Sequence, residues 1–234
     1  MKRNQSGFTL IEIAIVLVII GLLLGGVLKG QELINSAKVK NLATDFRNIP
    51  VYIYGYQDKF KALPGDDPNV VAHLGATAVL ATTGTVGNGV IEGAWNSYNK
   101  GDESYLFWQH VRLAGLAAGM TTIPTATAAA GDGYKPVNAA GGDIGIQSGT
   151  SVVGSSPMLD VNSAAIRGTY IICSPNILGK FAKQLDIQLD DGNTQTGSMM
   201  TYDVTTGSAY TIGVKSTATA LINDADIVVV CMGV

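Results

Sequence analysis

The feature that most constrains this chain is an apolar run near its N-terminus. From Phe8 to Leu28 the sequence holds 21 residues, and Glu12 is the only charged one among them. Because an α-helix rises about 1.5 Å per residue, a helix of this length covers roughly 31 Å, the hydrocarbon thickness of a bilayer. We therefore expect a helix that can cross a membrane.

The residues around this run predict its orientation and its processing. Lys2 and Arg3 precede it, and basic residues favour the cytoplasmic side of a membrane helix, so everything after Leu28 is expected to be exported. A cleaved secretory signal ends its apolar region at a small-residue site, but this run continues into polar, helix-forming sequence. The small residue is Gly7, which precedes the run. This order predicts a short basic leader, removed on the cytoplasmic side, and an apolar helix that stays in the mature protein.

Glu12 needs a partner within this environment. A charged side chain at the centre of a membrane helix costs about 2.5–3.5 kcal/mol on insertion scales. Cleavage after Gly7 would expose an α-amino group on Phe8, and the amine of a neighbouring identical subunit would neutralise Glu12. Assembly would then remove a cost that the isolated subunit bears. The alternative is a plain membrane anchor in which Glu12 reaches up to the lipid headgroups.

The segment KRNQSGFTLIEIAIVLVIIGLL resembles the class III leader and N-terminal helix of type IV prepilins and of the pseudopilins of type II secretion. The resemblance extends over roughly residues 1–35. It implies cleavage between Gly7 and Phe8 by a prepilin peptidase, followed by N-methylation of Phe8. It also implies a filament core of stacked apolar helices, in which Glu12 guides subunit addition.

The exported part begins with an amphipathic helix. Five apolar residues recur at spacings of 3, 4, 3 and 4, which is one face of a helix that can cover a sheet: Val39, Leu42, Phe46, Ile49 and Ile53. Pro50 should kink this helix or end it locally, and LPGDDP is a stop signal. We divide the chain into a leader (1–7), a membrane and filament-core helix (8–28), an exported amphipathic half-helix (29–62) and a globular domain (63–234).

The globular domain shows a mixed pattern of helices and strands. Residues 102–118 predict a helix with Asp102 as its N-cap, and Phe107 and Trp108 as its anchors in the core. Residues 121–163 are rich in Gly, Ala, Thr and Ser and predict an irregular insertion with short strands around Ile144 and Val152.

Regular structure returns after this insertion. A strand is predicted to end at Cys173, and Ser174 with Pro175 to start a helix that runs to residue 189. Residues 208–214 and 225–234 predict two further strands, the last one buried. This order suits an α+β fold with antiparallel pairing, and the resemblance implies a pilin-like arrangement in which the long N-terminal helix packs on that domain.

The two cysteines, Cys173 and Cys231, each lie in a predicted strand and are 58 residues apart. Composition alone does not establish a disulfide. Export to an oxidising compartment favours one, and closing a loop of this length would stabilise the fold by about 4 kcal/mol in the chain-entropy model. The alternative is a pair of buried thiols.

Two acidic turns offer oxygen ligands for calcium: Asp66 with Asp67, and Asp190 with Asp191 and Asn193. The resemblance adds to this, since some pseudopilins hold calcium in a loop. Neither stretch has the pattern of an EF-hand, and both compositions are ordinary in turns. We therefore interpret both as turns and expect no metal and no cofactor; if calcium is bound, Asp190 and Asp191 are the candidate ligands.

The sequence offers little for catalysis or for nucleic-acid binding. His73 and His110 are the only histidines, and His110 lies on the apolar side of its predicted helix, as a core residue does. No nucleophile-elbow, zinc-protease or phosphate-loop motif occurs, so we expect no enzyme. Loss of Lys2 and Arg3 with the leader leaves 15 − 2 = 13 basic against 18 acidic residues, a balance of −5. An anionic exterior does not favour nucleic acid as a partner.

The leading hypothesis is a structural subunit of a type IV pilus-like filament, built from this chain alone or mixed with other pilins. Its expected partners are the prepilin peptidase and the pilus or type II secretion assembly machinery. It would span the inner membrane once, with a periplasmic C-terminal domain, and then join a periplasmic or cell-surface filament. The alternatives are a type II secretion pseudopilin, or a membrane-tethered binding or enzymatic domain that never polymerises.

Overall fold

A computed structural model of the chain describes residues 9–125, 128–205 and 210–234. Its helices are α1 (Leu10–Phe60), α2 (Val70–Leu74), α3 (Glu103–Leu113) and α4 (Gly179–Leu189), with short 3₁₀ helices at Val153–Ser155 and Thr219–Leu221. Its strands are β1 (Gly145–Ser148), β2 (Met158–Leu159), β3 (Tyr170–Leu178), β4 (Met199–Asp203), β5 (Val214–Lys215) and β6 (Ile227–Gly233). The predicted α+β class is confirmed: a long apolar N-terminal helix precedes a globular domain with an antiparallel sheet.

Two units make up the chain. Residues up to Lys38 form one, and Val39–Val234 form the other, which has its own hydrophobic core. The predicted apolar face of α1 is confirmed within the second unit, because Val39, Leu42, Phe46, Ile49 and Ile53 are all buried there.

Helix α1 continues through Pro50, so of the two effects expected of this proline, a kink or a local end, the local end is wrong. A proline inside a helix costs about 3 kcal/mol. The neighbouring Phe46, Ile49 and Ile53 are at most 2% exposed, and burying each large apolar side chain is worth about 1.5–3 kcal/mol. Packing on both sides of Pro50 therefore outweighs its cost.

The main sheet has four strands in the order β1-β3-β6-β4, and all its neighbours are antiparallel. Strand β6 is central, and its residues from Val228 to Met232 are buried, which confirms the prediction of a buried final strand. The second sheet departs from the expected antiparallel pairing, because β2 and β5 pair in parallel.

Strand β3 is longer than predicted, and the expected helix start at Ser174 and Pro175 is wrong. The register of β3 against β6 shifts between Ser174 and Ile177, and Asn176 has a φ of 61°. A bulge is one of the places where a strand accepts a proline. Beyond it the fully buried Ile177 pairs with Val228, so the strand resumes and α4 begins only at Gly179.

Helix α3 confirms the predicted anchors but ends earlier than residue 118. Phe107 and Trp108 are buried in the core. Asp102 occupies the N-cap position without a side-chain hydrogen bond to the helix, since its carboxylate accepts from Thr83, Ser97 and Asn99 instead.

The remaining strand predictions are right only in part. Strand β1 lies next to Ile144, as expected, whereas Val152 is exposed and precedes a 3₁₀ helix. Of the strand predicted over 208–214, residues 208 and 209 lie outside the described residues, and only Val214 belongs to a strand.

Candidate functional site

The first turn of α1 is closed by a reciprocal pair of hydrogen bonds. The backbone N–H and the hydroxyl of Thr9 each donate to Glu12 Oε2 at 2.7 Å, and the Glu12 N–H donates back to Thr9 Oγ1 at 3.3 Å. This is a capping box, in which two helix-terminal donors are satisfied by side chains. Glu12 therefore has a partner within its own chain. The role of Thr9 was not predicted from the sequence, although a threonine three residues before a glutamate is the signal for such a cap.

The apolar part of α1 presents its side chains to the surface. Among the described residues, α1 is the one helix that is long and apolar enough to cross a membrane, with a mean hydropathy of 2.8 over its most apolar window. Leu10 is 91% exposed and Leu22 is 73% exposed. A contiguous apolar surface of this kind marks a site of contact with membrane or protein.

The comparison with known protein families identifies this segment. Residues 2–28 match the model of the prokaryotic N-terminal methylation motif. The chain carries a type IV pilin-like class III prepilin signal. No curated protein and no solved structure matches the chain. The prepilin signal covers Glu12 as well as Gly7 and Phe8, and these last two lie outside the described residues of the structure.

In the globular domain that follows the prepilin signal, Cys173 and Cys231 form a disulfide with a Cα–Cα distance of 4.1 Å. The two residues face each other across β3 and β6, and both are fully buried. The bond joins the two central strands of the main sheet, and neither cysteine is a free thiol in the structure.

The first acidic turn is held by the chain itself. Asp66 accepts hydrogen bonds from the backbone N–H groups of Gly87, Asn88 and Gly89. Asp67 accepts from the Tyr56 hydroxyl at 2.7 Å, from the Asn69 N–H at 2.9 Å and from His73 Nδ1 at 2.7 Å. Both carboxylates are at most 2% exposed. These bonds favour the interpretation of this stretch as a turn over that of a metal site.

A cleft of about 490 Å³ opens beside this turn. Its lining includes Phe60, His73 and Tyr170 together with Gly87 and Gly89. The Phe60 and His73 rings stack with their centroids 5.0 Å apart. The cleft therefore gives solvent access to the segment that holds Asp66.

The second acidic turn gains a third carboxylate that sequence analysis missed. One oxygen each from Asp186, Asp190 and Asp191 lies within 4.8 Å of the others. Asp186 is fully buried. Its Oδ1 accepts from the Gly192 N–H at 2.7 Å, and its Oδ2 has no hydrogen-bond partner in the part of the chain that the structure describes. Asp186 lies in the last turn of α4, four residues before Asp190, and this spacing was the available signal.

These three carboxylates fit a divalent cation. Buried charges are normally paired or coordinate a metal, and calcium prefers carboxylate oxygens. Burial raises the pKa of Asp186 to about 7, and the charges of Asp190 and Asp191 add to this rise. At neutral pH this carboxyl group is therefore only partly ionised, and a cation beside it would favour the ionised form.

His110 is a core residue, as the sequence predicts. It is fully buried, and its Nδ1 accepts the Gly65 N–H at 2.8 Å, so the ring proton on Nε2 is donated to the Val79 carbonyl at 2.9 Å. Burial lowers the pKa of His110. Both ring nitrogens are used in joining three segments of chain, which leaves none for acid–base chemistry.

Proposed function

We propose that this chain is a structural subunit of a type IV pilus-like filament rather than an enzyme. The observation that carries the proposal is the prepilin signal at residues 2–28, which coincides with a helix of membrane-spanning length. In this proposal the leader is 1–7, the membrane and filament-core helix is 8–28, the exported half-helix is 29–62 and the globular domain is 63–234. The partners are a prepilin peptidase, further pilin subunits and an assembly machinery in the inner membrane.

The chemistry at the N-terminus follows from this order. The peptidase cleaves between Gly7 and Phe8 and methylates the new amine of Phe8. The capping box then reduces the free-energy cost of placing the Glu12 side chain in the membrane in the isolated subunit, because Thr9 supplies two hydrogen bonds to its carboxylate. On assembly, the Phe8 amine of a neighbouring subunit provides an opposite charge, which Thr9 lacks. This difference between a hydrogen bond and an ion pair favours the assembled state.

The proposal is tested with two substitutions at the N-terminus. Gly7→Leu should block cleavage, because the peptidase needs a small residue there, and the precursor should accumulate with Met1 still at its end. Glu12→Ala should be cleaved normally but should give few filaments. Immunoblots of whole cells and of sheared surface fractions measure both effects. Glu32→Ala is the control, since this residue is exposed and forms an ion pair with Lys29 on the surface of the same helix.

Normal filaments from both N-terminal variants would contradict the proposal and favour a membrane-tethered domain that does not polymerise. A pseudopilin of type II secretion would share the processing and assembly steps. It is distinguished by location, because its filament stays in the periplasm and is absent from the sheared fraction. The proposed pilus subunit appears in that fraction.

We also propose that Asp186, Asp190 and Asp191 hold a calcium ion. The buried Oδ2 of Asp186, which has no hydrogen-bond partner within residues 9–125, 128–205 and 210–234, supports this assignment. Asp190 also accepts the Met199 N–H at 2.8 Å, so a cation here would tie the end of α4 to the start of β4. Calcium would neutralise the charge of the three carboxylates and would take part in no reaction.

The calcium proposal predicts a change in thermal stability. Calcium should raise the melting temperature of the full chain, and a chelator should lower it. Asp186→Asn should abolish the response, whereas Asp58→Asn should keep it, because the Asp58 side chain is 91% exposed and lies outside the cluster. A melting temperature that is the same in calcium and in chelator would remove the proposal.

A further inference from the structure

Asn88 and Gly89 form the only Asn-Gly pair in the sequence. A backbone nitrogen that follows an asparagine is able to attack the side-chain amide carbon, and glycine offers the least steric hindrance because it has no Cβ. Both residues are exposed, and Gly89 also lines the 490 Å³ cleft. Water therefore reaches the pair. Two hydrogen bonds, one from Gly89 and one to Asn88, affect its reactivity.

The first contact places a base on the attacking nitrogen. The Gly89 N–H donates to Asp66 Oδ2 at 2.7 Å. Asp66 is 2% exposed, and its other oxygen is held by the N–H groups of Gly87 and Asn88. A fixed carboxylate at hydrogen-bond distance from the proton to be removed has the geometry of a general base.

The second contact polarises the amide that is attacked. The Val90 N–H donates to Asn88 Oδ1 at 2.8 Å. Negative charge would develop on this oxygen when nitrogen adds to the side-chain carbon. A backbone N–H already directed at that oxygen stabilises the developing charge, as donors do in an oxyanion hole.

We propose that Asn88 is a site of autocatalytic deamidation in the folded chain. The Gly89 nitrogen forms a bond to Cγ of Asn88 as its proton passes to Asp66. The Cγ–Nδ2 bond then breaks, the nitrogen leaves as ammonia with the proton returned from Asp66, and a succinimide remains. Water opens the succinimide to aspartate or isoaspartate at position 88. Either product adds a carboxylate beside Asp66, and isoaspartate also lengthens the backbone.

The test compares the folded and the unfolded chain. Full-length protein in detergent, with its disulfide intact, is incubated at neutral pH with and without concentrated guanidinium chloride, and deamidation is followed by peptide mass spectrometry. We expect Asn88 to react on the order of 10²-fold faster in the folded chain, the lower range for general acid–base catalysis. A rate in the folded chain equal to or below that in denaturant would overturn the proposal.

The same digests contain an internal control. Asn162 is also exposed, but the N–H of the following Ser163 donates to the backbone carbonyl of Asp160, not to a carboxylate. Folding should therefore not increase the deamidation rate of Asn162. If folding increased the deamidation rate of Asn162 by the same factor, the effect would come from the conditions in general. That result would overturn the proposed role of the loop that holds Asn88.

Replacement of the base gives a second measurement. Asp66→Asn keeps an acceptor for the backbone N–H groups but removes the carboxylate, and it should slow the reaction at Asn88 on the order of 10²-fold. An unchanged rate in a folded variant would overturn the assignment of Asp66. If this variant does not fold, the proposal is tested by the deamidation rates of Asn88 in the folded and the denatured natural chain.

Discussion

Glu103, at the start of α3, is a fully buried carboxyl group. Its Oε2 accepts the Glu92 N–H at 2.8 Å, and among the described residues its Oε1 has no partner that meets the geometric criteria of a hydrogen bond. Burial is the main cause that raises the pKa of Glu103 from 4.5 to about 7, and the charges of Asp66 and Glu92 contribute to the rise. Glu103 therefore holds a proton in the folded chain at pH values where the unfolded chain has lost it.

This difference predicts how stability depends on pH. The folded state binds more protons than the unfolded state between pH 4.5 and about 7, so the contribution of Glu103 to the free energy of unfolding falls as pH rises through that window. Glu103→Gln mimics the protonated form. It should be nearly neutral at pH 5 and should stabilise the fold by about 1–3 kcal/mol at pH 8. Denaturant melts across this range measure the difference.

The control for this prediction is Glu32→Gln. The Glu32 side chain is 69% exposed, so its substitution should leave the pH dependence of unfolding unchanged. A Glu103→Gln variant with the same pH profile as the natural chain would show that Glu103 is ionised in the folded state at pH 5.

The bulge in β3 shows how one element differs from its sequence pattern. Ser-Pro is a common helix start, but here Pro175 and Asn176 form the irregular part of a strand. The long-range pairing of β3 with β6 outweighs the local signal. This pairing buries Ile177 and continues to Leu178. Helix α1 passes Pro50 for the same reason. Local signals for the ends of elements are weak against tertiary packing.

Asn176 allows a prediction at this scale. Its φ of 61° is in the left-handed region, which asparagine and glycine tolerate and β-branched residues do not, and its side chain is exposed. Asn176→Val should lower the free energy of unfolding by about 1–2 kcal/mol. Asn176→Gly should change it little, and it controls for loss of the side chain. Equal stability of the two variants in denaturant melts would show that backbone strain is not the cause.

At the scale of the whole molecule, one disulfide joins the two central strands of the main sheet. Under oxidising conditions, unreduced peptide mapping should recover Cys173 and Cys231 as one linked pair. Replacing both cysteines with alanine should lower the free energy of unfolding by about 4 kcal/mol, because the unfolded chain loses a constraint across 58 residues. A reducing agent should then have no further effect on the variant. Two thiols open to alkylation in the unreduced chain would contradict this prediction.

The sequence by itself determined the features that depend on neighbouring residues. These are the apolar run with its prepilin signal, the helical face from Val39 to Ile53, the buried final strand and the core position of His110. Each is periodic or local, so the spacing of residues along the chain is sufficient to recognise it.

Only the tertiary structure decided which polar groups meet. Asp66 receives the N–H groups of a loop that starts 21 residues later. Glu103 and the β3 bulge likewise depend on partners distant in sequence. The physical reason is that burial removes water as a partner for polar groups, and the segment that replaces water is chosen by packing and not by sequence proximity.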